Sequence, residues 1–269
     1  MTATTPAGGQ PAGRPQPSGA AAATEVGGAV LLVGTRIGLW LGVQLGLAGL
    51  LVLAGVTATG GQALNRVGGW WMVYGALVDL GTLAVIAWLL GRDGSAYRRL
   101  LGPPTTAWQV TLGALGVLAA SVPAVVFSAE LTGAINGDAT APMLAVVDVP
   151  PLASALGVLV VPLLAELAEP VAYLGVVLPR LEARLGRPWL AATIVVLVWA
   201  AEHALFPLLT SGGRLDLEFA AYRVGSVLPY LATWTALYYA LGRRLLPVMA
   251  ARWVFNGGTA LALALGQVG

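Results

Sequence analysis

Two glutamates three residues apart, Glu166 and Glu169, lie within an apolar run, with Pro170 directly behind the second. Further on, Glu202 and His203 interrupt another apolar run, and Arg252 and Asn256 interrupt a third. Residues three or four apart share a helix face, so Glu166 with Glu169, and Arg252 with Asn256, each turn two polar groups to one side. Adjacent residues do not, so Glu202 points away from His203. A buried glutamate can take a proton from water, while an imidazole and a carboxamide can donate hydrogen bonds to the oxyanion that forms on a carbonyl. The set therefore suits hydrolysis, with Glu169, His203 and Asn256 as reactive groups and Glu166, Arg252 and Glu202 as accessories. The single histidine has no Ser/Asp framework for a nucleophilic triad, and one histidine with no cysteine falls short of the usual zinc ligand sets. No cofactor is expected, and a divalent metal stays open.

The elements that must position these groups follow from composition. A chain of 269 residues that is 58% hydrophobic and 10% charged carries less than half the charged share of an ordinary soluble domain, roughly a quarter. It reads as all-α, a polytopic transmembrane helical bundle. Runs long enough to span, roughly 17 to 25 residues, recur about seven times, near 30–58, 69–91, 107–129, 151–179, 188–210, 222–241 and 245–266. Each is read as a helix, because a lone helix satisfies its own backbone in lipid. Arginines follow the second run (Arg92, Arg98, Arg99), the fourth (Arg180, Arg184, Arg187) and the sixth (Arg243, Arg244). The loop after the third run carries Glu130, Asp138 and Asp148 without a base, and the loop after the fifth is balanced. This alternation puts the N-terminus in the cytoplasm.

Residues 1–25, rich in Pro, Gly, Ala and Thr without apolar periodicity, read as a disordered tail, and 26–269 as the membrane domain. All fourteen basic residues are arginine and they are scattered, so no nucleic-acid partner is expected. The absence of lysine beside heavy use of Ala, Gly, Leu and Val suits a bacterial genome of high GC content, and hence a bacterial cytoplasmic membrane.

A charge at bilayer depth costs at least about 2.5 to 3.5 kcal/mol, so such residues face a cavity or a partner. Counted from the arginines at the cytoplasmic ends, Glu169, Asn256 and His203 lie at depths of roughly 16, 18 and 24 Å, close enough to meet. Pro170 and Pro207 each remove a backbone donor and crowd the carbonyl four residues back, of Glu166 and His203, so both helices are expected to bend beside their polar groups. Arg36 is expected to snorkel toward a membrane surface, and Asp79 to pair with a neighbouring helix.

These residues resemble the motifs of a known family, the CAAX prenyl protease and bacteriocin-processing (CPBP, or Abi) intramembrane proteases. Its first motif, EExxxR followed by Gly, is met from Glu169 to Gly175 in EPVAYLG. Its second, FxxxH, is met as Trp199 to His203, and its third, HxxxN or HxxxD, as Arg252 to Asn256. The resemblance covers about 150–266, the CPBP-like catalytic core. It maps the family's water-activating glutamate to Glu169 and its oxyanion-binding His and Asn to His203 and Asn256. Pro170 stands where the family has a second glutamate, Leu174 where it has arginine, and Arg252 where it has histidine. Arg252 is placed to pair with Glu169, replacing the charge lost at Leu174, and Glu166 to stand in for the second glutamate or to neutralise Arg252.

The resemblance implies an intramembrane endopeptidase that hydrolyses peptide bonds of membrane-anchored substrates with glutamate-activated water, its other partner being the bilayer. Two alternatives stay open: a catalytically impaired pseudoprotease acting as a membrane binding or scaffold protein, and a small transporter using the buried charges as a path.

Overall fold

The computed structural model describes residues 19–136, 151–205 and 217–266, and every regular element among them is helical. The first helix, α1 (Gly19–Leu53), begins inside the stretch read as a tail; residues 1–18 lie outside the described residues. A short α2 (Gly60–Gly68) follows, capped by Thr59, whose hydroxyl accepts from the Gln62 amide. Next come α3 (Trp71–Arg92), a tight 3-10 turn (Tyr97–Leu101), α4 (Ala107–Asn136) and α5 (Pro151–Pro170). Then α6 (Leu178–Leu185), α7 (Pro188–Glu202), α8 (Leu217–Ala240) and α9 (Leu245–Gly266) complete the chain.

Four of these stretches are long and apolar enough to cross a membrane: Val26–Leu53, Val73–Arg92, Ala107–Leu131 and Pro162–Leu185. Within the fifth expected span, 188–210, α7 covers Pro188–Glu202, 15 residues, and residues 206–210 lie outside the described residues. Large apolar side chains such as Leu45, Leu50, Leu115, Phe127 and Leu197 are exposed, as lipid-facing residues should be. The expected bend at Pro170 takes a particular form. Proline has no N–H to give, and the helix passes directly into a π-helical turn, Val171–Val177, in which the Leu178 amide reaches back five residues to the Tyr173 carbonyl. All seven residues of this turn are buried, and Gly175 packs against Leu100 of the 3-10 turn so closely that a Cβ would lie 3.3 Å from the Leu100 Cβ and carbonyl. The second proline expected to bend a helix, Pro207, lies outside the described residues.

The main core surrounds this turn. α5 packs between α3 and α9, α4 lies against α8 and α9, α7 against α8, and α1 against α3, α6 and the π turn. A smaller cluster of Ala48, Ala63, Val67 and Tyr74 fixes α2 between α1 and α3. Helices α6 and α7 are joined at Gly186, whose left-handed backbone (φ 62°) stops α6 before Pro188 opens the next helix.

Candidate functional site

Two ion clusters lie inside the bundle. In the first, the Arg252 guanidinium of α9 joins both glutamates of α5: Nε to Glu166 Oε2 at 2.9 Å and Nη2 to Glu169 Oε2 at 2.6 Å. The pairing of Arg252 with both carboxylates is therefore as expected. The Asn256 carboxamide, one turn further on, donates to Glu166 Oε1 at 2.6 Å. Glu166 thus has both oxygens committed, and its side chain is 5% exposed. The other oxygen of Glu169, Oε1, accepts from the Trp199 indole N–H and lies 3.7 Å from His203 Nε2. This is the open side of the cluster, with side-chain exposures of 12% for Glu169 and 26% for His203, against 3% for Arg252.

His203 caps the end of α7, and its Nδ1 lies 2.9 Å from the Trp199 carbonyl. A carbonyl oxygen only accepts, so the neutral ring carries its proton on Nδ1 and turns the Nε2 lone pair toward Glu169. Trp199 therefore holds both members of the pair, the glutamate by its indole and the histidine by its backbone.

The second cluster is centred on Arg36 of α1, which departs from the expected snorkelling. Its residue is 2% exposed. Nε and Nη2 fork onto Glu202 at 2.8 to 3.2 Å, and Nη1 reaches Asp79 Oδ1 at 3.2 Å and Thr82 Oγ1 at 3.0 Å. Glu202 also accepts from the Trp40 indole at 2.8 Å and from the Tyr173 hydroxyl. Asp79 pairs with a neighbouring helix and Glu202 turns away from His203, both as expected. The reason for the departure is depth: Arg36 sits mid-helix, too far from either end for its side chain to reach the headgroups, so partners brought in by α3 and α7 solvate it instead.

Aromatic rings join the two clusters. The Arg36 guanidinium lies 5.9 Å from the Tyr173 ring, Tyr173 stacks on Trp199 at 4.9 Å with 14° between planes, and Arg252 lies 5.0 Å from Trp199 and 4.6 Å from Trp234. A column of two cations and three rings, with Tyr173 and Trp199 stacked between Arg36 and Arg252, thus crosses the bundle from α1 to α8. Among the described residues, four buried or half-buried carboxylates (Asp79, Glu166, Glu169, Glu202) face two guanidiniums there. No three His, Cys, Asp or Glu side chains among the described residues are gathered as a ligand set for a metal.

Of the residues read as reactive, Glu169 and His203 face one another. Asn256 joins the same cluster, with its carboxamide nitrogen donating to Glu166. Arg36, Trp40, Tyr173, Thr82 and Trp234 were not anticipated. The one available signal was the cost of an arginine in mid-span, which demands a partner.

The helices and this interior define an integral membrane protein with an ionisable site inside an apolar bundle. Residues 151–258 match the family model described as type II CAAX prenyl endopeptidase Rce1-like, so the resemblance of the three motifs to the CPBP proteases is borne out over that stretch. Both glutamates of α5, the π turn, Trp199, His203, Arg252 and Asn256 fall inside the match; Arg36, Trp40, Asp79 and Thr82 fall outside it. No curated protein and no solved structure matches the chain.

Proposed function

We propose that the protein is an intramembrane endopeptidase whose water is held between Glu169 and His203. The observation that carries this reading is the 3.7 Å separation of Glu169 Oε1 from His203 Nε2, two acceptors facing each other. At that spacing one water sits about 2.8 Å from both and donates a hydrogen to each. Its lone pair is then free to attack a peptide carbonyl carbon. As the C–O bond forms, one water proton passes to Glu169, and collapse of the tetrahedral intermediate delivers that proton to the leaving amine nitrogen. Arg252 orients Glu169 through Oε2. With Asn256 turned onto Glu166, Arg252 Nη1 is the charged donor left to meet the oxyanion. The substrate class is a membrane-anchored peptide or protein, as the family match supports.

A second reading, a non-hydrolytic binding protein, is favoured by one observation. The Arg252 guanidinium contacts both glutamates and the Asn256 carboxamide contacts Glu166, so both motif positions are engaged within the protein.

The test is cleavage of a membrane-anchored peptide by the purified protein in lipid nanodiscs, comparing wild type with Glu169→Gln and His203→Ala. Cleavage lost in both variants supports hydrolysis. Wild type that binds the peptide without cutting it selects the second reading.

A further inference from the structure

We propose that Arg36 is a positioning residue of the Glu169–His203 pair, acting through Glu202, Tyr173 and Trp199. The proposal rests on reading that pair as the working groups, but its contacts do not depend on any activity. Arg36 comes from α1, outside the family-matching stretch, yet it makes the only bidentate contact to Glu202 among the described residues. Glu202 is the last residue of α7 and the chain neighbour of His203, so its fork onto Arg36 fixes where the imidazole leaves the helix. Glu202 Oε2, which Arg36 Nε also reaches at 3.2 Å, receives the Tyr173 hydroxyl, which fixes the ring stacked on Trp199. Trp199 in turn donates to Glu169 and accepts from His203.

Together the links run from α1 to both reacting groups, with the Arg36 and Tyr173 contacts to Glu202 buried and the Trp199 contacts to Glu169 and His203 part-buried. Two features argue that the link positions the site as well as filling space. A planar fork holds a carboxylate in one orientation where an ammonium leaves it free to rotate. Trp199 stands where the family motif has Phe, and phenylalanine has no N–H with which to hold a carboxylate. The chain thus ties the orientation of its glutamate to a ring whose stacking partner is set by α1.

The sole histidine of the chain is His203, so its ring nitrogens give an unambiguous NMR signal. Histidine isotope-labelled protein in nanodiscs should show the Nδ1-protonated tautomer. Arg36→Gln, which breaks the fork, and Arg36→Lys, which keeps the charge without the fork, should both shift the His203 nitrogen signals toward a tautomer mixture. Tyr173→Phe, which removes one hydroxyl further along, should shift them in the same direction by less. Arg99→Gln, an exposed arginine far along the chain from these contacts, should leave them unchanged. With a membrane-anchored peptide as probe, Arg36→Lys should lower kcat by about a hundredfold, the scale of a reacting group displaced by an ångström, with KM held within about twofold. His203 signals of Arg36→Lys and Tyr173→Phe that superimpose on wild type, whatever the loss of thermal stability, would overturn the proposal. If wild type cuts nothing, the hydrolytic reading falls, and the NMR comparison still decides the role of Arg36.

Discussion

The Trp199 carbonyl accepts the Nδ1 proton of His203 at 2.9 Å, and the same tryptophan donates its indole N–H to Glu169. One residue thereby sets the tautomer of His203 and the orientation of Glu169. Trp199→Phe keeps the carbonyl and the stack but deletes the indole donor. It should cost about 1 to 3 kcal/mol, the usual penalty for stranding a buried acceptor. Denaturation in mixed micelles measures it, and the His203 tautomer should persist.

Arg252 compensates two carboxylates at once. Arg252→Met should cost about 3 to 5 kcal/mol because both are left without their cation. The double variant Glu166→Gln, Arg252→Met should be less destabilised than the sum of its parts, since it removes one of the stranded charges. A double-mutant cycle with coupling near zero would refute this shared compensation.

Glu202 and Asp79 share Arg36 unequally. Glu202 accepts from Arg36, Trp40 and Tyr173, whereas Asp79 meets the guanidinium through one oxygen at 3.2 Å. Asp79→Asn should therefore cost about 1 kcal/mol and Glu202→Ala about 3 to 5 kcal/mol. Equal losses of folded protein on heating would count against this ranking.

Tyr97, in the turn between α3 and α4, donates its hydroxyl to the Leu167 carbonyl beside Glu166. Partial burial raises its phenol from the ordinary value of 10.0 to about 12. A group whose folded pKa is raised contributes stability that is fully present below its unfolded pKa and is lost as pH rises through the folded value. Wild type should thus lose stability between about pH 10 and 12. Tyr97→Phe should lack that component of the alkaline loss in a melting series.

Gly102 ends the 3-10 turn at φ 86°, and a Cβ there would run into the Arg243 carbonyl. Gly102→Ala combines a left-handed backbone with that collision and should cost about 1 to 3 kcal/mol. Gly91→Ala, with open space around it, is the control and should be within about 0.5 kcal/mol of wild type.

Periodicity and charge made much of this interior legible. The Glu166/Glu169 face, its pairing with Arg252 and the turn of Glu202 away from His203 all follow from helical spacing and the need to compensate charge. Arg36 was misread because its partners lie 43 and 166 residues away, and no local spacing encodes which helices become neighbours. Asn256 was placed in the right cluster, but its contact with Glu166 was not foreseen, because depth along a helix says nothing of rotation toward one glutamate over another. The π turn was read only as a bend: the missing N–H of Pro170 is visible in the sequence, whereas the register that absorbs it depends on the packing of all seven residues that follow.

The fork between Arg36 and Glu202 has a consequence for where the molecule can be cut. The stretch that carries the family's signature ends its own account of Glu202 with a tyrosine, while the cation that neutralises that carboxylate arrives from the opposite end of the gene. The matched stretch, 151–258, therefore does not itself supply the cation that neutralises Glu202. A fragment that begins at Pro151 leaves the buried Glu202 carboxylate without the guanidinium that pairs with it in the full chain.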